Sequence, residues 1–317
     1  MKKVFPFILL ITVMALSCKK DDGNGGGNGA PYPTDNLTLE AKTNSFMLVP
    51  YAPGSQSSIT SQILAKEFEN KYGDLFTHLN MVAGVGHPFY SFTADSILKH
   101  FGNPPSFLLN GQVYTDFEVM QEAIELAELK KPVISVVHKV TENDTSWIVD
   151  AKIEFYKDTS SNRFTIETYM VLEVPGIVNG EIDLRFPIVT DVINQDDKRS
   201  FWTRDIPSLD SSEIVARVND TYIHNNVVYK NFNKKNPFGT NLADINPLGG
   251  EFFTGDKYGT RYTPIRHFFR KPRLKSEEIP FKFEPHFITV VWYKDPFTGV
   301  ELYVNSYSDK DGIEVED

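Results

Sequence analysis

The 317-residue chain has almost no cysteine: Cys18 is the only one. Downstream of it there is no thiol, which excludes a disulfide framework, a thiolate metal site and a cysteine nucleophile from residues 19–317. Basic residues are also short, 32 against 42 acidic ones, giving a formal net charge of −10. An acidic surface repels phosphate backbones, so nucleic acid is not expected as a partner. Long apolar runs are missing apart from Val4 to Leu16, which falls short of the roughly 20 residues that span a bilayer. The seven histidines are scattered along the chain without the close pairing of zinc sites, so neither a metal nor another cofactor is expected.

What is present starts with Met1-Lys2-Lys3, the apolar stretch to Leu16 and the small residue Ser17. A positive start, a short apolar core and a small residue are the marks of an export signal, here residues 1–17. Ala15-Leu16-Ser17-Cys18 resembles the bacterial lipobox. The resemblance implies that Cys18 becomes an acylated N-terminus and that lipid, not a helix, holds the protein to a membrane. Lys19-Lys20-Asp21-Asp22 resembles the tag of some Gram-negative lipoproteins displayed on the outer membrane, implying the cell surface, with the periplasmic face as the alternative. Gly23 to Gly29 is nearly all glycine and asparagine, a tether composition, and residues 18–43 are read as a lipidated tether. Loss of residues 1–17 removes Lys2 and Lys3 and no acid, so −10 becomes −12.

Residues 44–130 alternate between strand and helix patterns. Phe46 to Val49 reads as a strand, and Ile59, Ile63, Phe68 and Tyr72 follow helical spacing up to Gly73. His78 to Ala83 reads as a strand and Thr93 to Phe101 as a short helix. Phe107 to Tyr114 reads as a hairpin turned by Asn110-Gly111. Thr115 to Glu118 reads as a capping box opening a last helix with Phe117, Met120, Ile124 and Ala127 buried. From Lys131 the texture is β-rich, with strands expected at 133–140, 146–156, 163–174, 223–232, 287–293 and 300–307. The expected fold class is therefore α+β in two domains, 44–130 and 131–317, the second a mainly antiparallel β-sandwich carrying a long irregular segment, 231–275.

The β-α-β-α-hairpin-α order, with Pro105 ahead of its third strand, resembles the thioredoxin-like layout. The resemblance implies a cis-proline at Pro105 facing the loop Tyr51 to Ser58, where such proteins carry Cys-x-x-Cys and this chain carries none. His224-Asn225-Asn226-Val227-Val228-Tyr229, and Ile288 to Tyr293 with the turn Asp295-Pro296-Phe297-Thr298-Gly299, are similar to segments of the outer membrane protein twenty-eight-like lipoproteins. That family implies a lipidated N-terminus, a thioredoxin-like domain and a β domain. The Cys-x-x-Cys is lost and the second histidine of a His-Asn-His pattern is Asn226, so no thiol redox activity is expected.

Several residues are candidates for chemistry. Ser55 and Ser58, with His87 as a base and Pro105 opposite, define a degenerate thioredoxin cleft; the alternative for Ser57 or Ser58 is a hydroxyl cap on the first helix. Such a cleft, by main-chain hydrogen bonds beside Pro105, suits an extended peptide in a chaperone-like role. His224 shares a strand face with Asn226 and is a weak metal candidate against a buried hydrogen-bonding role. In the long segment, Phe252, Phe253 and Tyr258 with Arg270 form a candidate platform for a glycan, a peptide or an envelope protein, the alternative being a satellite core. The leading expectation is a lipid-anchored, non-enzymatic binding or adhesion module.

Overall fold

The computed structural model describes residues 31–51, 56–82, 91–101, 107–114, 116–160, 162–175, 223–272, 284–309 and 314–315. The first half runs β1 (Ser45–Tyr51), α1 (Gln56–Tyr72), β2 (Phe76–Val82), α2 (Phe92–Phe101), β3 (Phe107–Leu109), β4 (Gln112–Tyr114) and α3 (Phe117–Glu128). These follow the sequence pattern closely. The cap of α3 is Asp116, whose carboxylate accepts from Val119 N at 3.1 Å, one residue beyond the Thr115 start expected. α1 has already begun at Gln56, so Ser57 and Ser58 lie inside the helix and not at its cap.

The second half supplies β5 (Ile134–Glu142), β6 (Ser146–Phe155), β7 (Thr159–Ser160), β8 (Phe164–Pro175) and β9 (Ile223–Asn231). The short β10 (Thr240–Asn241), β11 (Glu251–Phe252) and β12 (Lys257–Tyr258) follow, then β13 (Ile265–Arg270), β14 (Pro285–Lys294), β15 (Glu301–Ser308) and β16 (Glu314–Val315). Segment 231–275, expected to be irregular, thus contains β13, paired along Ser146 to Ala151 of β6. The protein is mixed α/β, mostly sheet.

The two-domain expectation requires correction. The largest sheet has the order β15-β14-β8-β9-β2-β1-β3-β4, so strands from both halves share it, and Tyr32–Asp317 is one compact unit. The halves join where β9 lies parallel to β2, at Asn80 opposite Val227. Side chains seal the same boundary: Phe46, Leu48, Leu79 and Met81 share a core with Tyr169, Val171, Ile288, Val290 and Trp292. Tyr303 stacks on Phe46 at 5.1 Å, although their strands lie far apart in the sheet order, so the sheet curls until β15 approaches β1.

A second sheet, β12-β6-β5-β16 with β13 also on β6, covers the β8 and β14 part of the first. Strand alternation explains the two layers. On β8, Phe164, Ile166 and Met170 face the second sheet, while Tyr169 and Val171 face the core built with α2. Gly239, at φ +96, sits under β8, where a Cβ would fall 2.0 Å from the Ile166 carbonyl oxygen; only glycine fits.

Candidate functional site

The residues before β1 cross the outer side of the second sheet as a strap. Its first hold is on Asp150, only 1% exposed, which takes Arg266 Nε at 2.6 Å and Nη2 at 3.1 Å and accepts the Tyr32 hydroxyl at 3.3 Å. The bond to Asp150 raises the Arg266 pKa further above its ordinary value, and the guanidinium also lies 5.5 Å from the Tyr32 ring centre. Thr34 then donates to the Gly259 carbonyl, and Lys152 Nζ donates to the Thr34 and Leu37 carbonyls at 3.0 and 2.9 Å. Burial lowers the Lys152 pKa, helped by Lys257. Gly259 has φ +87, and a Cβ there would lie 1.9 Å from the Ala151 carbonyl oxygen. Ser135 donates to the Glu40 carbonyl at 2.6 Å, and Asn305 Nδ2 to the Lys42 carbonyl at 3.0 Å, so the strap passes from β6 across β5 to β15.

Where the strap reaches β15 it forms one wall of a cleft of about 250 Å³. The other walls come from Asp74 and Thr77 at the head of β2, Ser135 to Val137 of β5 and Asn305 to Ser308 of β15. Asn305, 2% exposed, fixes this junction: its Oδ1 accepts from Asn44 N and Ser306 N, and its Nδ2 also donates to the Ile134 carbonyl. The Tyr303 hydroxyl donates to the Asn44 carbonyl at 2.9 Å, and burial drives its pKa far up. Glu40 and Lys42 pair across 2.9 Å, an arrangement that lowers the Glu40 pKa through its bond to Lys42. In the surroundings, Asn44 Oδ1 and Ser308 Oγ are buried without a hydrogen-bond partner among the described residues. The cleft thus combines carboxylates, an ammonium, hydroxyls and one aromatic ring, Tyr307.

Among the described residues, the sequence candidates do not form one site. Cys18, Ser55, His87 and Pro105 lie outside the described residues, and Ser58 is placed only as part of the helical backbone of α1. Phe252 and Tyr258 are 1% and 6% exposed, so they are interior packing and not a platform. Phe252 stacks on Phe155 at 4.3 Å and meets Phe164 and Tyr258 edge to face. Phe253 is 47% exposed and Arg270 is exposed, but they do not share a site with those rings. Tyr258 aligns with Ile153 and Arg270 with Ser146, seven residues or about 23 Å apart on extended β6.

His224 lies on β9 in register with Val174. Asn226 does bond histidines, His78 Nδ1 at 3.3 Å and His286 Nε2 at 2.6 Å, from β2 and β14. Its φ of +52, at an irregular part of the β8–β9 register, sets it off from the regular alternation assumed for the pair. No group of three His, Cys, Asp or Glu side chains able to hold a metal occurs among the described residues.

Two buried polar systems escaped the sequence. His138 Nδ1, Thr289 Oγ1, Thr168 Oγ1 and His267 Nδ1 form a chain between the two sheets, with successive distances of 2.7, 2.9 and 2.8 Å. Three bonds and two hydroxyl protons mean that, if neither hydroxyl bonds elsewhere, one imidazole Nδ1 donates and the other accepts. Burial, with His138 adding to it, pushes the His267 pKa down to about 3. On the other face of β8, Glu167 is fully buried and accepts from the backbone N–H groups of Thr168, Phe232 and Asn233 and from Asn231 Nδ2. Burial nevertheless pushes its pKa up to about 8 against those bonds. Both systems are sealed from solvent and serve the interior.

A second depression, about 640 Å³ and broadly open, lies between β7, Glu251 of β11 and the start of the β14–β15 turn, with Asn162, Arg163 and Tyr293 in its walls.

No family model matches the chain, and no curated protein matches it. Among solved structures, HBP35 of Porphyromonas gingivalis aligns with a TM-score of 0.54 at 12% identity, over 88% of this chain and 78% of that one. A structural-genomics protein of Agrobacterium tumefaciens aligns at 0.44 and 9% identity, over 87% of this chain and 99% of that one. The first likeness is one of fold alone.

Proposed function

We propose that this is a non-enzymatic binding module, held by lipid on Cys18 at the outer-membrane surface, whose ligand is a small hydroxyl-rich molecule such as one sugar unit of a glycan. The observation that carries the reading is the polar cleft at the end of the strap. Drug-sized ligands fill about 300–1,000 Å³, so about 250 Å³ suits a single ring. Asp74 and Glu40 offer acceptors to sugar hydroxyls, Lys42 and Thr77 offer donors, and Tyr307 supplies an apolar ring. The strand order β2-β1-β3-β4 supports descent of the first half from a thioredoxin-like unit, and the absence of thiols after Cys18 removes its redox chemistry.

The test is calorimetric titration of residues 18–317 with saccharides picked from a glycan array. Asp74→Asn combined with Glu40→Gln removes two charged acceptors at about 1.5–3 kcal/mol each, so affinity should fall at least about a hundredfold. Phe253→Ala should leave it unchanged. Equal affinity in the cleft double variant would remove the assignment.

A further inference from the structure

The outward side of β13 is unlike the rest of this acidic chain. Ile265, His267 and Phe269 point inward, whereas Arg266, Phe268 and Arg270 point out, and Phe268 is 55% exposed. Just before β13, Tyr262 stands 91% exposed in the turn closed by the Gly259 N–H bond to the Thr263 carbonyl. Lys230 Nζ donates to the Arg270 carbonyl at 2.9 Å, and Lys271 lies over the Trp147 ring. Asp150 and Glu142 pair with Arg266 and Lys271, so the four cations Arg266, Arg270, Lys230 and Lys271 keep a surplus of two positive charges. No acid pairs with Arg270 among the described residues.

The strap begins at this same edge. Tyr32 is fixed between Asp150 and Arg266, and Thr34 is fixed to Gly259, three residues from Tyr262. Thirteen residues lie between Cys18 and Tyr32, at most about 50 Å of chain. A lipid on Cys18 therefore keeps this edge near the bilayer, at the millimolar effective concentrations of short linkers. A body of charge −12 is repelled by anionic headgroups except through a face of opposite sign.

We propose that the β13 edge is the surface on which the anchored protein rests on the membrane, with Phe268 and Tyr262 entering the interfacial layer and Arg270 and Lys230 meeting phosphate-bearing headgroups. Exposed aromatics with cations beside them are the usual anchors at that depth. The strap runs from this edge over β6 and β5 to β15, so the cleft lies three strands away from the resting edge.

The inference rests on the reading of Cys18, and the experiment separates the two. Residues 18–317 are coupled through their one thiol to a maleimide lipid in vesicles of phosphatidylglycerol and brominated phosphatidylcholine. A tryptophan replaces Phe268, or Phe297 at a distant tip that is 95% exposed. Bromine should quench Phe268→Trp at least twofold more than Phe297→Trp, and Arg270→Glu with Lys230→Glu should abolish the difference. Equal quenching at the two positions overturns the resting surface. Mass spectrometry of the protein extracted from cells tests acylation of Cys18 separately, and a free thiol there overturns the anchor while leaving the quenching result to stand by itself.

Discussion

Glu167 and His267 give the protein a stability profile whose two limbs can be removed one at a time. The buried Glu167 carboxyl has its pKa raised from 4.5 to about 8, so the folded state holds a proton that the unfolded chain has lost between those values. Its contribution is complete below pH 4.5 and disappears as pH rises through about 8. His267 is the reverse: its pKa is depressed from 6.5 to about 3, so its contribution is complete above 6.5 and is lost as pH falls towards 3. Each unmatched proton changes stability by about 1.4 kcal/mol per pH unit. The two slopes cancel between pH 4.5 and 6.5, leaving a plateau, and Glu167 alone costs about 2 kcal/mol between pH 6.5 and 8. Glu167→Gln keeps the shape of the protonated carboxyl without titrating, so the variant should lack that alkaline fall. Urea unfolding at pH 5.5, 6.5 and 8 measures it, and the difference between wild type and variant cancels the other titrating groups. If the two proteins lose stability in parallel from pH 6.5 to 8, the four N–H donors hold Glu167 ionised and the reasoning is refuted.

Two further outcomes follow from the geometry. Phe252→Ala should cost about 3–5 kcal/mol by opening a hole among Phe155, Phe164 and Tyr258, seen in the denaturant midpoint, while leaving ligand affinity intact in the protein that remains folded. Arg266→Met strands the buried Asp150 carboxylate and should cost about 2–3 kcal/mol, less than a fully buried pair because Arg266 keeps part of its side chain in water. Limited proteolysis should then cut first within residues 32–44.

Element type was largely legible because periodicity is local: the seven elements of the first half and the long strands of the second fall within a few residues of their patterns. Partnership was not. Nothing in the composition of Phe76–Val82 or Ile223–Asn231 announces that Asn80 and Val227 pair across some 150 residues and merge two expected domains into one sheet. The candidate platform failed because Phe252, at the end of β11, turns into the core while Phe253, just past the strand, is exposed, a split that an expected irregular segment does not reveal. The cleft has no sequence signature because its walls come from four segments between Thr38 and Ser308, each made of ordinary polar residues. Glu167 and Thr168 are polar residues in the middle of β8, and nothing in their own segment shows that the second sheet on one side and the α2 layer on the other close over both.

The cleft is tested most directly by amide shift mapping. A saccharide selected on the array is titrated into isotopically labelled residues 18–317. Shifts should be confined to Thr38–Asn44, Asp74–Thr77, Ser135–Val137 and Asn305–Ser308. Shifts gathered instead around Phe253, or along Thr159–Arg163, would contradict the cleft assignment.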